Sequence, residues 1–138
     1  MADGARLASA VMFVQGLDRS VRFYTELLGL EVTDRSPTAA LLTSAAGSHL
    51  IVRAMGGHGG HALGNVGVQY VVWTVASRDD LDRCEQVLKK HAAPWLVTRV
   101  SRCAAVEGRD PDDIMVVIVY PGPDQIPLRE LPARVYGW

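Results

Sequence analysis

The sequence predicts an α+β fold of two βαβββ modules that pair into a curved, barrel-like cup. Three observations carry that expectation. The tetrapeptide Leu17-Asp18-Arg19-Ser20 recurs as Leu81-Asp82-Arg83-Cys84, an offset of 64 residues (17 to 81). Each copy follows an apolar strand-like run and opens a stretch of helical periodicity. Three further strand-like runs then follow each helix. A βαβββ unit of about 50 residues covers one sheet face with its helix and leaves the other in need of a partner. The 138 residues therefore read as a single domain, with modules at 6–57 and 66–120 and a tail at 121–138.

In the first module, Leu7 to Val14 is rich in strand formers. Leu17, Val21, Tyr24, Leu27 and Leu28 then fall at helical spacing, and Gly29 supplies the C-terminal glycine that ends a helix. Asp18 is the expected N-cap, since its carboxylate suits both the Val21 N–H and the positive helix end. Strands follow at Leu30 to Arg35, Ala39 to Thr43 and His49 to Met55, parted by turn residues. In the second module the strand is Val66 to Val75, and the helix carries Leu81, Cys84, Val87 and Leu88 on its apolar stripe. It ends at His91-Ala92-Ala93-Pro94, because proline cannot continue the turn. Trp95 to Arg102, Ala104 to Gly108 and Ile114 to Tyr120 complete the unit. The proline-rich tail is expected to pack back through Ile126, Leu128, Leu131 and Trp138.

Composition excludes several function classes. Lys+Arg 14 against Asp+Glu 15 gives a net charge of −1, without the clustered basic residues on which nucleic-acid affinity rests. With 49% hydrophobic and 21% charged residues, the chain is not a disordered one. The most apolar run, Val66 to Ala76, is too short to span a bilayer, and the opening residues carry no charged leader before an apolar stretch. The expected location is the cytoplasm. Cys84 and Cys103 lack CxxC spacing and read as free, buried thiols.

Two motifs then carry a family resemblance. Val14-Gln15-Gly16-Leu17-Asp18-Arg19-Ser20-Val21-Arg22-Phe23-Tyr24, with Leu27-Leu28-Gly29-Leu30 after it, is similar to the "DL-x-x-S-x-x-FY-x-x-x-LGL" opening of the vicinal oxygen chelate superfamily. That superfamily holds glyoxalase I, extradiol dioxygenases, fosfomycin-resistance enzymes and bleomycin-resistance proteins. Gly16 stands where the family usually has aspartate. Arg109-Asp110-Pro111-Asp112-Asp113 resembles its "RDPDG" turn before the last strand. The resemblance covers about residues 6 to 120. It implies the paired-module, glyoxalase-like fold, and it fixes no single activity, because one fold hosts many.

The resemblance also implies where a divalent metal would sit. Counting from the two motifs places Ser9, Tyr70 and Val117 at the family's strand ligand positions. A hydroxyl, a phenol and an alkyl group do not make a divalent metal site. No cofactor is expected on this reading. The alternative site, His58 and His61 with His49 near them, lies on a glycine-rich link that lacks a rigid frame.

The inward strand positions read Ser9, Val11 and Phe13, then Tyr70, Val72 and Thr74, then Met115, Val117 and Val119. That lining suits an apolar or aromatic small molecule, bound by stacking and a few hydrogen bonds, or else it is simply core. Trp95 belongs at the pocket rim or at a subunit contact. The leading functional expectation is a metal-independent binding protein of the bleomycin-resistance type, a homodimer that sequesters an antibiotic or metabolite in the cup or at the dimer interface. The alternative is a lyase, isomerase or oxygenase with a divalent metal in a non-standard site, or with Glu31, Asp34 or Glu107 as general base. Whether the chain is an enzyme stays open at this point.

Overall fold

Alternating residues along Ser9–Val14 (β1) set Ala10, Met12 and Val14 toward a helix and Ser9, Val11 and Phe13 away from it. The chain then runs through α1 (Leu17–Leu28), β2 (Glu31–Arg35), β3 (Ala39–Thr43) and β4 (His49–Ala54). These strands form one sheet in the order β1-β4-β3-β2, with β1 parallel to β4 and the other neighbours antiparallel. The computed structural model describes residues 4–55, 68–91, 95–100, 102–126 and 130. The chain divides into two compact units, Met1–Gly59 and Gly60–Trp138.

Helix α1 buries Leu17, Ser20, Val21, Phe23, Tyr24 and Leu27 and lies against β3 and β4, whose Leu42, Leu50 and Val52 are fully buried. Each such side chain contributes roughly 1.5–3 kcal/mol of transfer free energy. Phe23 and Tyr24 meet edge to face at 5.2 Å, the favoured arrangement for aromatic quadrupoles. The expected N-cap is corrected. Gly16 occupies that position without a side-chain cap, because the helix already begins at Leu17. Asp18 sits in the first turn and is ion-paired with Arg35 on β2, so it still answers the positive helix end. Gly29 ends the helix at φ 64°, a left-handed conformation that glycine adopts without a Cβ clash.

The second unit repeats the topology. It runs β5 (Val72–Thr74), α2 (Arg78–Lys90), β6 (Trp95–Val100), β7 (Cys103–Arg109) and β8 (Met115–Tyr120), in the sheet order β5-β8-β7-β6. Again the first and last strands pair in parallel and the rest antiparallel. Helix α2 starts three residues before its Leu81-Asp82-Arg83 motif, because Ser77 caps it by accepting from the Asp80 N–H at 3.1 Å. Asp79 and Asp80 in the first turn and Lys89 and Lys90 in the last complement its dipole. At its end the His91 N–H donates to the Val87 carbonyl at 3.1 Å. Strand β5 is shorter than the sequence suggests: the described residues from Val68 to Val71 are not in a strand.

The helix comes close to this sheet at Gly108. A Cβ there would fall 2.6 Å from Leu88 Cδ2, so any larger residue would require the buried Leu88 side chain to shift. Asp110, 5% exposed, holds the β7–β8 turn by accepting from the N–H groups of Asp112 (2.8 Å) and Ile114 (2.9 Å). Cys84 and Cys103 are free and buried. Among the described residues no helix is long and apolar enough to cross a membrane.

Candidate functional site

Each sheet has one face under its helix and one face turned away. In the first unit the strand registers align the away-facing residues in rows: Ser9, His49 and Thr43; then Val11, Ile51 and Leu41; then Phe13, Arg53 and Ala39. Val11 is 60% exposed and Phe13 57% exposed, and Leu41 and Ile51 are half-buried beside them. An open groove of about 280 Å³ lies over this face, between Asp34, Ser36, Ala39, Leu41 and Ile51. Thus three of the expected ligand-binding residues, Ser9, Val11 and Phe13, share one face with a groove.

The row next to the groove is polar and connected. His49 Nδ1 lies 3.1 Å from Thr43 Oγ1, which lies 2.8 Å from Thr33 Oγ1. The Thr33 hydroxyl donates onward to the Leu41 carbonyl at 3.4 Å. Glu31 pairs with Thr43 and Val32 with Leu42, so alternation sets Thr33 on the Thr43 face, and the bulge between Val32 and Asp34 shifts the register only beyond it. The sequence reading missed Thr33 and Thr43 and treated His49 only as a neighbour of the histidine pair. One signal was available: residues 44–48 form a short hairpin turn that places Thr43 directly across from His49.

In the second unit the away-facing side is buried at its centre, on β7 and β8, while Leu96 on the edge strand β6 is 44% exposed. Cys103, Ala105, Val117, Val119 and Ile126 form a buried apolar cluster, with Tyr70, Val72 and Met115 packed against it. Val117 is 1% exposed and Val119 0%. Thr74 donates its hydroxyl to the Val119 carbonyl at 2.9 Å, so that group is engaged within the unit. Ile126 packs from the tail as expected; His58, His61, Leu128, Leu131 and Trp138 lie outside the described residues.

Trp95 is not grouped with the other expected site residues. Its β-partner is Gly108, which faces α2; its Nε1 donates to Glu85 Oε2 at 3.0 Å, and Lys89 Nζ sits 5.9 Å above its ring. Strand alternation therefore sends Trp95 to the helix side, opposite Val72 and Val117. Among the carboxylates considered as bases, Glu31 and Asp34 are exposed, whereas Glu107 is half-buried and directly across from Val117.

The three strand positions at which the resemblance implies metal ligands do not fit a divalent ion. Ser9 is a lone hydroxyl, Tyr70 packs on the apolar cluster, and Val117 lies within it. Among the described residues no group of three or more His, Cys, Asp or Glu side chains stands within reach of one ion. Burial pushes the Cys84 thiol up to about 11, with Asp80 adding to and Arg83 opposing the shift, and burial also raises Cys103. Neither thiol is a poised nucleophile.

Comparison with known proteins bears on the family and the fold. The family model described as Glyoxalase/Bleomycin resistance protein/Dioxygenase superfamily matches residues 6–118. A glyoxylase/bleomycin resistance protein/dioxygenase domain from Frankia sp. superposes with a TM-score of 0.74 at 24% identity, over 85% of this chain and 98% of that one. The fosfomycin resistance protein FosX from Mesorhizobium loti gives 0.66 at 14% identity, over 91% and 98%. Lactoylglutathione lyase from Agrobacterium tumefaciens gives 0.63 at 16%, over 84% and 93%. At these identities the likeness is one of fold. Among curated proteins, none matches this chain significantly.

Proposed function

The chain belongs to the glyoxalase/bleomycin resistance protein/dioxygenase superfamily, and from that premise we propose that it binds an apolar or aromatic small molecule without a metal ion. One observation carries the reading: the first unit leaves an apolar sheet face open at Val11, Phe13, Leu41 and Ile51, while the implied ligand positions hold Ser9, Tyr70 and Val117. Exposed apolar surface next to a groove gains free energy when a ligand covers it. Such sequestration requires burial and stacking and no reacting group. An antibiotic or a metabolite of this chemistry, held by a cytoplasmic homodimer, fits the same features. Exposed Val11 and Phe13 are also the kind of surface that pairing of two copies would cover.

The test combines composition with binding. Purified protein is expected to hold no stoichiometric zinc, iron, nickel or manganese by elemental analysis, and to bind 1-naphthol saturably, one per chain. Val11→Ser combined with Phe13→Ser should weaken that binding by about tenfold or more, since two large apolar contacts are lost. A stoichiometric metal, or naphthol binding indifferent to both substitutions, overturns the reading. A second reading, a lyase, isomerase or oxygenase, draws on Glu107 beside Val117; turnover lost with chelator or with Glu107→Gln would favour it.

A further inference from the structure

We propose that Arg53 is the polar anchor of this site and that the ligand is an aromatic carboxylate, its rings lying over Ile51, Leu41 and Val11 and its anionic end held by the guanidinium. The inference rests on the binding reading above and adds the charge and chemical class of the ligand. Strand β4 lies between β1 and β3, so Arg53 stands inside the open face and not at its edge. Its cross-strand partners are Phe13 on one side and Ala39 on the other, and Ile51 precedes it by two residues on the same face. Among the described residues of β1, β3 and β4 that face away from the helix, Arg53 alone carries a fixed charge at neutral pH. Its side chain is exposed, within reach of a molecule arriving from solvent.

The opposite charges on this face lie apart from it. Asp34 pairs with Leu41 and Glu31 with Thr43, so both carboxylates stand on the edge strand β2, two strands and about 10 Å from β4. Asp34 is engaged locally, accepting from the Arg35 N–H at 2.8 Å. The groove runs between the two signs of charge. Asp34 lines it on the β2 side, and Ala39 and Ile51, the neighbours of Arg53, line it on the other. An apolar strip bounded in this way accepts an anionic ligand in one orientation, with its charge toward β4 and away from Asp34. The guanidinium offers paired N–H donors in a plane that matches the two oxygens of a carboxylate, and its alkyl stem extends the apolar surface.

Titrations of the full chain test this. At low ionic strength and neutral pH, 1-naphthoate should bind about tenfold more tightly than 1-naphthamide, its neutral counterpart of similar shape, and added salt should shrink that preference. Arg53→Gln should erase the preference while leaving the affinity for 1-naphthamide within about twofold. Arg53→Lys, which keeps the charge and loses the planar fork, should retain part of it. Because Arg53 is exposed, both variants are expected to keep the urea midpoint of the unaltered chain. Equal affinity for the two probes, a preference that survives Arg53→Gln, or tighter binding of 1-naphthylmethylammonium than of 1-naphthoate overturns the anchor and leaves the binding reading standing. Binding of none of these probes, 1-naphthol included, overturns both.

Discussion

The two units carry the same strand order and the same helix placement, yet their second sheet faces differ. In the first unit Val11 and Phe13 stand more than half exposed beside the half-buried Ile51 and Leu41. In the second, Val117 and Val119 are sealed, because the chain after β8 turns at residues 122–125 and lays Ile126 on that face. The repeat thus dictates what each sheet presents to its own helix. What covers the other face is set by a segment outside the repeat. The larger open apolar surface is thus on the first unit, at Val11 and Phe13, while on this face of the second it is confined, among the described residues, to Leu96 on the edge strand.

The largest expected effect exploits that contrast. Ile126→Ala removes buried methyl and methylene groups from the cluster around Val117 and Val119 and should cost about 2–4 kcal/mol in urea unfolding. Phe13→Ala deletes a larger side chain from an exposed position and should cost less than about 1 kcal/mol. Similar losses for the two would mean that the faces are equally covered in solution, and the comparison would fail.

The sequence carried most of the first-order picture and little of the second. The Leu17 and Leu81 motifs, the glycine at position 29 and the alternating runs located the eight strands and two helices seen among the described residues, because helical and strand periods are written in consecutive side chains. Alternation also placed Ser9, Val11 and Phe13 on one face. It did not reveal that Asp18 would pair with Arg35 rather than cap α1, since that depends on where β2 falls beside the helix start. Nor did it show the Thr33–Thr43–His49 chain, which needs the registers of two neighbouring strand pairs. Which side Trp95 takes was likewise beyond the sequence, since only its pairing with Gly108 decides it.

A smaller effect separates the units by pH. Ser20 and Cys84 occupy the same place in the repeated tetrapeptide, and both are 0% exposed. The hydroxyl does not titrate in the accessible range, but the thiol does. Burial raises the folded Cys84 thiol from its ordinary 9.0 to about 11, so the unfolded chain releases this proton first. The associated stability is complete below about pH 9 and is lost as pH climbs through about 11, by about 2–3 kcal/mol at most. Cys103, raised by burial too, adds in the same sense. Unfolding free energies measured between pH 8 and 11 should fall less steeply for Cys84→Ala than for the unaltered chain, whatever the offset at pH 8.

The smallest effect lies in the two equivalent hairpins. The β3–β4 turn places Gly47 at φ 90°, and the β7–β8 turn places Asp113 at φ 64°. Both are left-handed conformations that crowd a Cβ against the backbone, so the first turn uses the residue free of that strain and the second does not. Aspartate tolerates the region better than most residues, and glycine gives back part of the gain through its greater freedom in the unfolded chain. Asp113→Gly should therefore stabilise by only about 0.5 kcal/mol. The interactions around it survive the change, since Arg109 Nη1 reaches the Asp113 carbonyl and the Asp113 N–H donates to Asp110, all backbone atoms of residue 113. Gly47→Ala is the converse, with no neighbouring atom within 4 Å of the added Cβ, so that its cost of about 1 kcal/mol is conformational alone. Opposite shifts in Tm for the two variants would show that the hairpins differ in strain and not in contacts; shifts of one sign would locate the difference in packing instead.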